Sequence, residues 1–435
     1  MHAKKHLSFS GLRKTLSKRF DEIQDHRQRV LDYSLSDCLM SALAMMFMQD
    51  PSLLAFQRRL QESRNANNLK TVFRINAIPR DTQLRDTLDE VDPAGIEVLY
   101  TDFFRSLQRG KHLESYQILD GRYLIALDGS QYFSSDKIHC PGCLFKTTSK
   151  GKVSYSHQIL QPVLLRPGMR QVIPLAPEQI KNDDGTDKQD CEINASKRIV
   201  QRIRADHPKL KIIIGGDGLY SKQPFINELK RHRMSYVLVA KPADHRVMYK
   251  FIAELREMDS DELKRLEIKD HKGYTHQYEW AAKVPLTGDE KSEDVQYLEY
   301  TMIRKDGKAT YHNVWVTDIE IDKNNIAELV RVGRARWKIE NETFNTLKNQ
   351  GYHLEHNFGH GQKNLSYIFF LLNVLAFFAH QIFELTDPLY QECRSKFSSR
   401  LEFWNQLRCT IRILIFPSWE AVLLVIIDPE NNQPP

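Results

Sequence analysis

The sequence predicts an α/β protein, because patterns typical of helices and patterns typical of buried strands both occur along its 435 residues. Patterns typical of helices dominate residues 1–115. Short apolar runs typical of buried strands begin at Tyr123 and then alternate with amphipathic helices. Hydrophobic residues make up 41% of the chain, which is ordinary for a folded protein with a large core.

The N-terminal region is predicted to contain helices at 37–47, 51–60 and 82–88. Residues 1–30 carry eight Lys or Arg against three acids, although the whole chain has a net charge of only +6. This local excess of positive charge suits a segment that binds phosphates, and a solvated terminus explains it equally well.

Five strands are predicted after the helical region. The first three are 123–127, 153–165 and 171–175, and an amphipathic helix follows them. The continuous apolar run at 210–214 is typical of a strand covered on both faces, and 236–240 is the fifth strand.

The rest of the chain completes a recognisable order of elements. Ser221 is predicted to cap the helix between the last two strands. Residues 246–320 are charged and alternating, which predicts an inserted β-rich subdomain. A long helix at 325–349 then resumes the core, and 351–435 is predicted to be helical. Three strands, helix, strand, helix, strand, insertion and helix is the order of an RNase H-like fold.

Two aspartates directly follow apolar strands. Asp128 follows the first strand and Asp217 the fourth, and glycines lie beside them at Gly129, Gly216 and Gly218. Ligand sites in α/β sheets gather at the carboxyl ends of strands, and glycine lets a metal or phosphate approach the backbone. If the two strands are neighbours, the carboxylates converge and require a cation.

A third carboxylate is predicted on the long helix. Arg336 and Glu340 are four residues apart and share a helix face, whereas Glu342 points to nearly the opposite side. We therefore prefer Glu340 to Glu342 as the partner of Asp128 and Asp217. Three such carboxylates suit two magnesium ions, which prefer oxygen ligands and can activate the attacking oxygen in phosphoryl transfer.

At these residues the sequence resembles the DDE transposases of bacterial insertion sequences, in particular the group whose last acid lies in a YREK signature on a helix. The matching segments are LDGSQYF, GGDGLYS and RARWKIENETFNTLK, within a match that covers residues 120–385. The PSLLAF segment at 51–56 is also typical of such proteins.

The resemblance implies an RNase H-like catalytic core interrupted by a β-rich insertion. It implies two Mg²⁺ or Mn²⁺ ions held by Asp128, Asp217 and Glu340, with Arg336 as the signature arginine. The implied partners are double-stranded DNA, both as terminal inverted repeats and as target, and a dimer assembled on paired ends.

Two positions depart from the signature. Gly333 stands where the tyrosine is expected, and Leu347 stands where the lysine is expected, with Lys348 one residue late. A helix irregularity near 340–343 would restore the register. In related enzymes these residues hold the DNA end near the cut, so with these departures a hairpin intermediate is not predicted and the route of cleavage is left undecided.

Four basic residues are predicted to contact DNA phosphates. Arg334 and Arg336 lie in the signature segment, and Lys348 follows it. Lys241 ends the fifth strand, where side chains face the site.

The motif from Cys140 to Cys143 has the spacing of half a zinc site. A structural zinc needs four ligands, and only His157 and Cys191 are near in sequence, so a plain cysteine turn is the favoured interpretation. A second cluster lies just after the acid-bearing helix and consists of His353, Glu355, His356 and His360. DNA contacts or local packing are favoured there over a transition metal.

Tryptophans of the insertion are a further candidate, because related enzymes use an aromatic residue there to hold a flipped base. The two tryptophans are Trp280 and Trp315. Trp315 alternates with Val314 and Val316 in a predicted strand, so core packing is its favoured role.

The predicted division of the chain has five parts. They are a helical DNA-binding and assembly region (1–115), the first part of the core (116–245), the β-rich insertion (246–320), the core helix with the third acid (321–350) and a C-terminal helical region (351–435). The expected activity is transposition. The alternatives are an RNase H-like nuclease without joining activity and a domesticated, catalytically silent DNA-binding protein.

Cysteine usage and hydropathy predict a cytoplasmic protein, associated with the nucleoid when bound to DNA. Six irregularly placed cysteines do not form a disulfide framework and fit a reducing compartment. The start of the chain has no apolar signal core. The most apolar run, 367–385, contains polar breaks, so it predicts a buried helix and no membrane span.

Overall fold

The structure, a computed structural model, describes residues 5–28, 33–60, 68–181, 190–289 and 292–430. The helices are α1 Phe9–Glu22, α2 Leu35–Phe47, α3 Leu53–Leu60, α4 Asp81–Asp89, α5 Ala94–Arg109, α6 Glu192–Asp206, α7 Gln223–Arg231, α8 Arg246–Glu257, α9 Ile326–Ala335, α10 Asn345–Asn349, α11 Leu365–Thr386, α12 Pro388–Ser395, α13 Arg400–Ile413 and α14 Trp419–Ile427. A 3₁₀ turn spans His112–Tyr116, and a π-helical turn spans Ile339–Phe344.

The strands are β1 Gln117–Ile118, β2 Arg122–Ser135, β3 Leu144–Thr147, β4 Val153–Leu165, β5 Ile173–Pro174, β6 Glu178–Ile180, β7 Ile212–Gly216, β8 Ser235–Val239, β9 Lys264–Lys269, β10 Thr275–Pro285, β11 Asp294–Ile303 and β12 Ala309–Thr317. Within the described residues they form one mixed sheet, in which nine strands follow the order β3-β4-β2-β7-β8-β12-β11-β10-β9, while the short β1 pairs with β2 and the short β5 and β6 pair with β4. The sheet and its flanking helices confirm the predicted α/β class.

The centre of the sheet is parallel. β2 pairs with β7, and β7 pairs with β8, in parallel, whereas β4 lies antiparallel on the other side of β2. Strands at the centre of a parallel sheet are covered on both faces and therefore consist of apolar residues. The fully buried Ile213 and Ile214 in β7 follow this rule.

Strand β2 is longer than predicted. The expected strand ended at Leu127, but β2 continues through Asp128 and Gly129 because β4 pairs with it as far as Ser135. Its parallel pairing with β7 stops at Ala126. Asp128 thus lies inside a strand, although it lies beyond the parallel part of the sheet.

The strands of the insertion continue the central sheet. Strand β12 pairs antiparallel with β8, with Trp315 opposite Val239 and Thr317 opposite Val237. Strands β11, β10 and β9 follow outward. Strand β9 was not predicted, because it is short and its side chains are mostly exposed, although Leu266 and Ile268 alternate with charged residues.

Helix α11 is the core of the helical part. By length and composition it is the single described helix able to cross a membrane, and 89% of its most apolar window is buried inside the protein. Its polar breaks have partners: Asn373 donates to the carbonyl of Tyr352 at 2.7 Å, and the Tyr352 hydroxyl lies 2.6 Å from Nδ1 of His380. The prediction of a buried helix is confirmed.

The N-terminal and C-terminal helices share one aromatic core. The ring of Phe47 in α2 lies 5.7 Å from that of Trp404 in α13 and 5.3 Å from that of Trp419 in α14. Phe383 of α11 completes this cluster at 6.2 Å from Phe47. The two ends of the chain therefore stabilise each other.

Part of the basic N-terminal segment is a packed helix. Leu16 and Phe20 of α1 are buried, and Nε of Arg19 lies 2.6 Å from a carboxylate oxygen of Asp102 in α5. Arg19 is thus committed to an ion pair. Lys4 and Arg29 of this segment lie outside the described residues.

The predicted cap at Ser221 is wrong. Helix α7 begins at Gln223 without a side-chain cap, and the Ser221 hydroxyl donates to the carbonyl of Gly218 at 3.1 Å. The same oxygen lies 2.7 Å from Nε2 of His245. Ser221 therefore stabilises the loop that follows Asp217.

Candidate active site

The parallel register brings Asp128 and Asp217 level with each other. The last pair of β2 and β7 is Ala126 with Gly215, and each aspartate lies two residues further along its strand direction. Neighbouring strands are about 4.8 Å apart, so the two carboxylates lie at the same edge of the sheet. The carboxylate of Asp217 also accepts a hydrogen bond from the backbone N–H of Leu219 at 2.9 Å, which orients it.

Asp128 lies in a crowded, mainly acidic environment. Burial raises the pKa of its carboxyl group to about 7, and the guanidinium of Arg336 only partly offsets this shift. The carboxylates of Glu340, Glu192 and Asp217 raise the pKa further. Four acids therefore lie close enough to interact, and Arg336 is the positive charge that acts most strongly on Asp128.

Glu340 is the predicted third acid, and it reaches this cluster. It lies in the π-helical turn, which contacts β2. Its Oε1 is 3.7 Å from a guanidinium nitrogen of Arg336, and its side chain is 48% exposed. Glu342 instead faces Lys338, with Nζ of Lys338 4.0 Å from its Oε1. These contacts support the choice of Glu340 over Glu342.

This helix contains an irregularity at the place where one would restore the register of the signature. The predicted helix 325–349 is interrupted after α9, and the π-helical turn precedes α10. A π-helix forms i→i+5 hydrogen bonds, so it accommodates an additional residue in the turn. Leu347 is accordingly buried, whereas Lys348 is part-exposed and its Nζ lies 2.8 Å from Oε1 of Glu355.

Glu192 is a fourth acid that the sequence analysis missed. It is the first residue of α6, and its carboxylate accepts a hydrogen bond from the Tyr220 hydroxyl. The carboxylate lies so close to Gly129 that a Cβ at that position would require the Glu192 side chain to shift. Burial raises the pKa of Glu192, and the carboxylate of Asp217 adds to this shift. An acid at a helix N-terminus is common, so the sequence alone did not distinguish it.

The structure brings two of the four predicted DNA contacts to this cluster. Arg336 interacts with Asp128 and Glu340, as described above. Lys241 lies two residues beyond the end of β8, and its aliphatic chain covers Gly218, where a Cβ would lie 2.9 Å from Cδ of Lys241. Both cations therefore lie beside the acids.

The other two predicted contacts are engaged elsewhere. The guanidinium of Arg334 lies over the ring of Tyr311 in β12, 4.5 Å from its centroid, and 5.8 Å from that of Tyr300. It therefore packs on the insertion strands and not beside the acids. Lys348 forms its ion pair with Glu355, as noted above.

Gly333 has a structural explanation. A Cβ at this position would lie 2.6 Å from the indole of Trp315, which is fully buried. No tyrosine fits there, because α9 packs directly on the indole. The burial confirms core packing for Trp315, and Trp280 is buried as well. Trp337, beside Arg336, is 60% exposed, and the sequence analysis did not consider it.

No family model matches the chain, and no curated protein matches it. Carboxylate oxygens are the ligands that Mg²⁺ and Mn²⁺ prefer. Asp128, Asp217 and Glu340, with Glu192 beside them, offer oxygen donors of this kind.

A second group of possible metal ligands lies outside the carboxylates. Cys140, Cys143, His157 and His360 are all buried, and their ligand atoms lie within 4.8 Å of one another. The favoured interpretation of a plain cysteine turn missed this arrangement, because His360 is far from the cysteines in sequence. Cys191, the other candidate, is exposed and is not part of this group.

Proposed function

We propose that the chain is a DNA transposase that cuts DNA at the ends of a mobile element and joins them to target DNA. The observation that carries this proposal is the level placement of Asp128 and Asp217, with Glu340 approaching from the π-helical turn. The three acids lie in the three segments of the sequence that resemble DDE transposases. We propose further that the protein acts in the cytoplasm and that it assembles as a dimer on the two paired DNA ends of the element.

The strand order supports an RNase H-like core as part of this proposal. An antiparallel β4 lies beside β2, and the parallel strands β7 and β8 follow on the other side. Helix α6 precedes β7, and helix α7 connects β7 to β8. The insertion enters after β8, before the helix that carries Glu340.

In the proposed reaction the acids hold the cations and the basic residues bind DNA. Two divalent ions would supply the charge that activates the attacking oxygen and stabilises the leaving oxygen. Asp128, Asp217 and Glu340 would bind these ions. Arg336 and Lys241 would contact the phosphates, and the exposed indole of Trp337 is available to stack on a base. A DNA 3′-hydroxyl is the nucleophile in the joining step, so no covalent protein–DNA intermediate is required.

The proposal is tested with a plasmid that carries the gene with its native flanking DNA. In the presence of Mg²⁺ the wild-type protein is expected to release a fragment bounded by the flanks and to join it to a second plasmid. The Asp217→Asn variant should bind the same DNA and release nothing. This variant also controls for contaminating nuclease.

Two alternatives give different results in the same assay. A nuclease without joining activity would cut single ends and form no joined product. A silent DNA-binding protein would bind the flanks without cutting, and the Asp217→Asn exchange would change nothing. Either result contradicts the proposal.

Glu192 is expected to support metal binding from beside the ligands. The Glu192→Gln exchange keeps the hydrogen-bonding shape and removes the charge, so the Mg²⁺ concentration for half-maximal cleavage should rise about 10–100-fold. Asp190→Asn is the control, because Asp190 lies two residues earlier and pairs with Arg198 at 2.7 Å. Titration of the cleavage rate with Mg²⁺ measures both. An unchanged requirement in Glu192→Gln would exclude this role.

A further inference from the structure

Four buried sulfur and nitrogen ligands come from three separate parts of the chain. Cys140 and Cys143 lie in the loop between β2 and β3, His157 lies on β4, and His360 lies between α10 and α11. Their exposed fractions are 7%, 4%, 6% and 8% in this order. These four residues therefore connect the central sheet to the segment that follows the acid-bearing helix.

The separations of the ligand atoms match a tetrahedral zinc site. The two Sγ atoms are 3.8 Å apart, three sulfur–nitrogen separations are 3.5, 3.5 and 3.4 Å, and the two Nε2 atoms are 3.2 Å apart. Zn–S bonds of about 2.3 Å and Zn–N bonds of about 2.0–2.1 Å give about 3.8, about 3.6 and about 3.3 Å for these three kinds of pair. All five separations agree with the tetrahedron to within about 0.2 Å.

Hydrogen bonds alone do not explain the arrangement. Nδ1 of His360 lies 2.9 Å from the carbonyl of Gly361 and donates to it, which leaves the lone pair of Nε2 directed at the cluster. Nε2 of His157 has three neighbours within 3.5 Å, namely both sulfurs and Nε2 of His360. A single N–H donates to one of them. A cation at the centre would satisfy all of them.

A disulfide does not explain the cysteine pair. The two sulfurs are 3.8 Å apart, whereas a disulfide bond is about 2.05 Å long. The backbone N–H of Cys143 donates to the carbonyl of Cys140 at 3.1 Å, so a tight turn presents both sulfurs to the same point.

We propose that Cys140, Cys143, His157 and His360 bind one structural zinc ion. Two thiolates and two imidazoles select zinc over magnesium, and four protein ligands leave no open position for catalysis. The site is chemically distinct from the carboxylate cluster. It does not depend on the proposed transposase activity.

The position of His360 gives the zinc ion a structural role. His360 follows the π-helical turn and α10, so the ion ties this segment to β4 and to the end of β2. Asp89 of α4 fixes the same segment from the other side, because its carboxylate accepts hydrogen bonds from the backbone N–H groups of Lys363 and Leu365. The zinc ion and Asp89 together would limit the positions open to the helix that carries Glu340.

The test is the zinc content of the purified full-length chain. We expect about one zinc ion per chain, and replacement by Co²⁺ should produce the visible absorption of a tetrahedral thiolate site. The Cys143→Ser and His360→Gln variants should lose most of the bound zinc. The Cys191→Ser and His356→Gln variants are matched controls, because both residues are exposed and outside the cluster, and they should keep it.

The outcomes separate clearly. A wild-type chain without stoichiometric zinc, or cluster variants that keep it, would overturn the proposal. If the cluster variants do not fold, the wild-type zinc content and the Co²⁺ spectrum decide. Because metal content is measured without DNA, a failure here is distinguishable from a failure of the cleavage assay.

Discussion

The Glu340→Gln variant is expected to lose Mg²⁺-dependent DNA cleavage by at least about a hundredfold, whereas Glu342→Gln keeps nearly full activity. A bound metal ion contributes several kcal/mol to transition-state stabilisation, and each 1.4 kcal/mol is about a tenfold change in rate. Glutamine has the size of glutamate and a similar helix propensity, so the π-helical turn should be retained.

The two glutamates are a matched pair for this comparison. They lie two residues apart in the same turn, but Glu340 interacts with Asp128 and Arg336, whereas Glu342 faces Lys338. The measurement is the initial rate of fragment release at saturating Mg²⁺, with binding to the uncut flanks as the control for folding. Equal losses in both variants, or a loss only in Glu342→Gln, would show that Glu340 is not the third ligand.

The Gly333→Tyr variant, which restores the signature residue, is expected to fold poorly or not at all. The fully buried indole of Trp315 occupies the space that any side chain at 333 would need. Even Gly333→Ala should lower the free energy of unfolding by about 1–3 kcal/mol, because overpacking outweighs the better helix propensity of alanine. Urea unfolding followed by tryptophan fluorescence and circular dichroism measures both variants.

A smaller residue at position 315 should reduce the overlap with a side chain at position 333. In the double variant Gly333→Ala with Trp315→Phe, the loss should be smaller than the sum of the two single losses, because the two residues are in direct contact. Gly288→Ala is the control, since a Cβ there meets Val247 at an ordinary 3.5 Å. If Gly333→Tyr has the wild-type unfolding midpoint, the close packing of α9 on Trp315 is wrong.

Gly333 also bears on the comparison with the YREK signature. The sequence shows that the tyrosine is absent, and on that ground alone the alternative of a catalytically silent protein stays open. The structure gives a packing reason, because Trp315 fills the position. The lysine of the signature has a similar explanation, since the π-helical turn precedes Leu347 and leaves Lys348 part-exposed.

The sequence predicted most of the elements around the acids. Strand β4 and the ends of the strands before Asp217 and Lys241 were within a few residues of the observed bounds. Periodicity is a local property, so apolar runs and amphipathic stripes reveal it without the fold. The extension of β2 past Asp128 was missed, because it depends on pairing with β4 and not on the local pattern.

Contacts between residues far apart in sequence cannot be predicted from local sequence patterns. Glu192 is an ordinary acid at a helix start until α6 is placed against Gly129. His360 is an isolated histidine until the segment before α11 reaches His157, with Nε2 atoms 3.2 Å apart. The local sequence pattern predicts neither of these two contacts.

The sequence by itself therefore determined the kinds of elements and the place of Asp217 just after a strand, and it predicted Glu340 as the third acid. These features follow from side-chain periodicity and from the residues at the ends of strands. The tertiary structure alone decided which acids meet, why Gly333 has no side chain, and that Cys140, Cys143, His157 and His360 form one cluster. The physical reason is that charge interactions, steric overlap between side chains and metal coordination all depend on distances in space. Between residues far apart in sequence, these distances are set only when the chain folds.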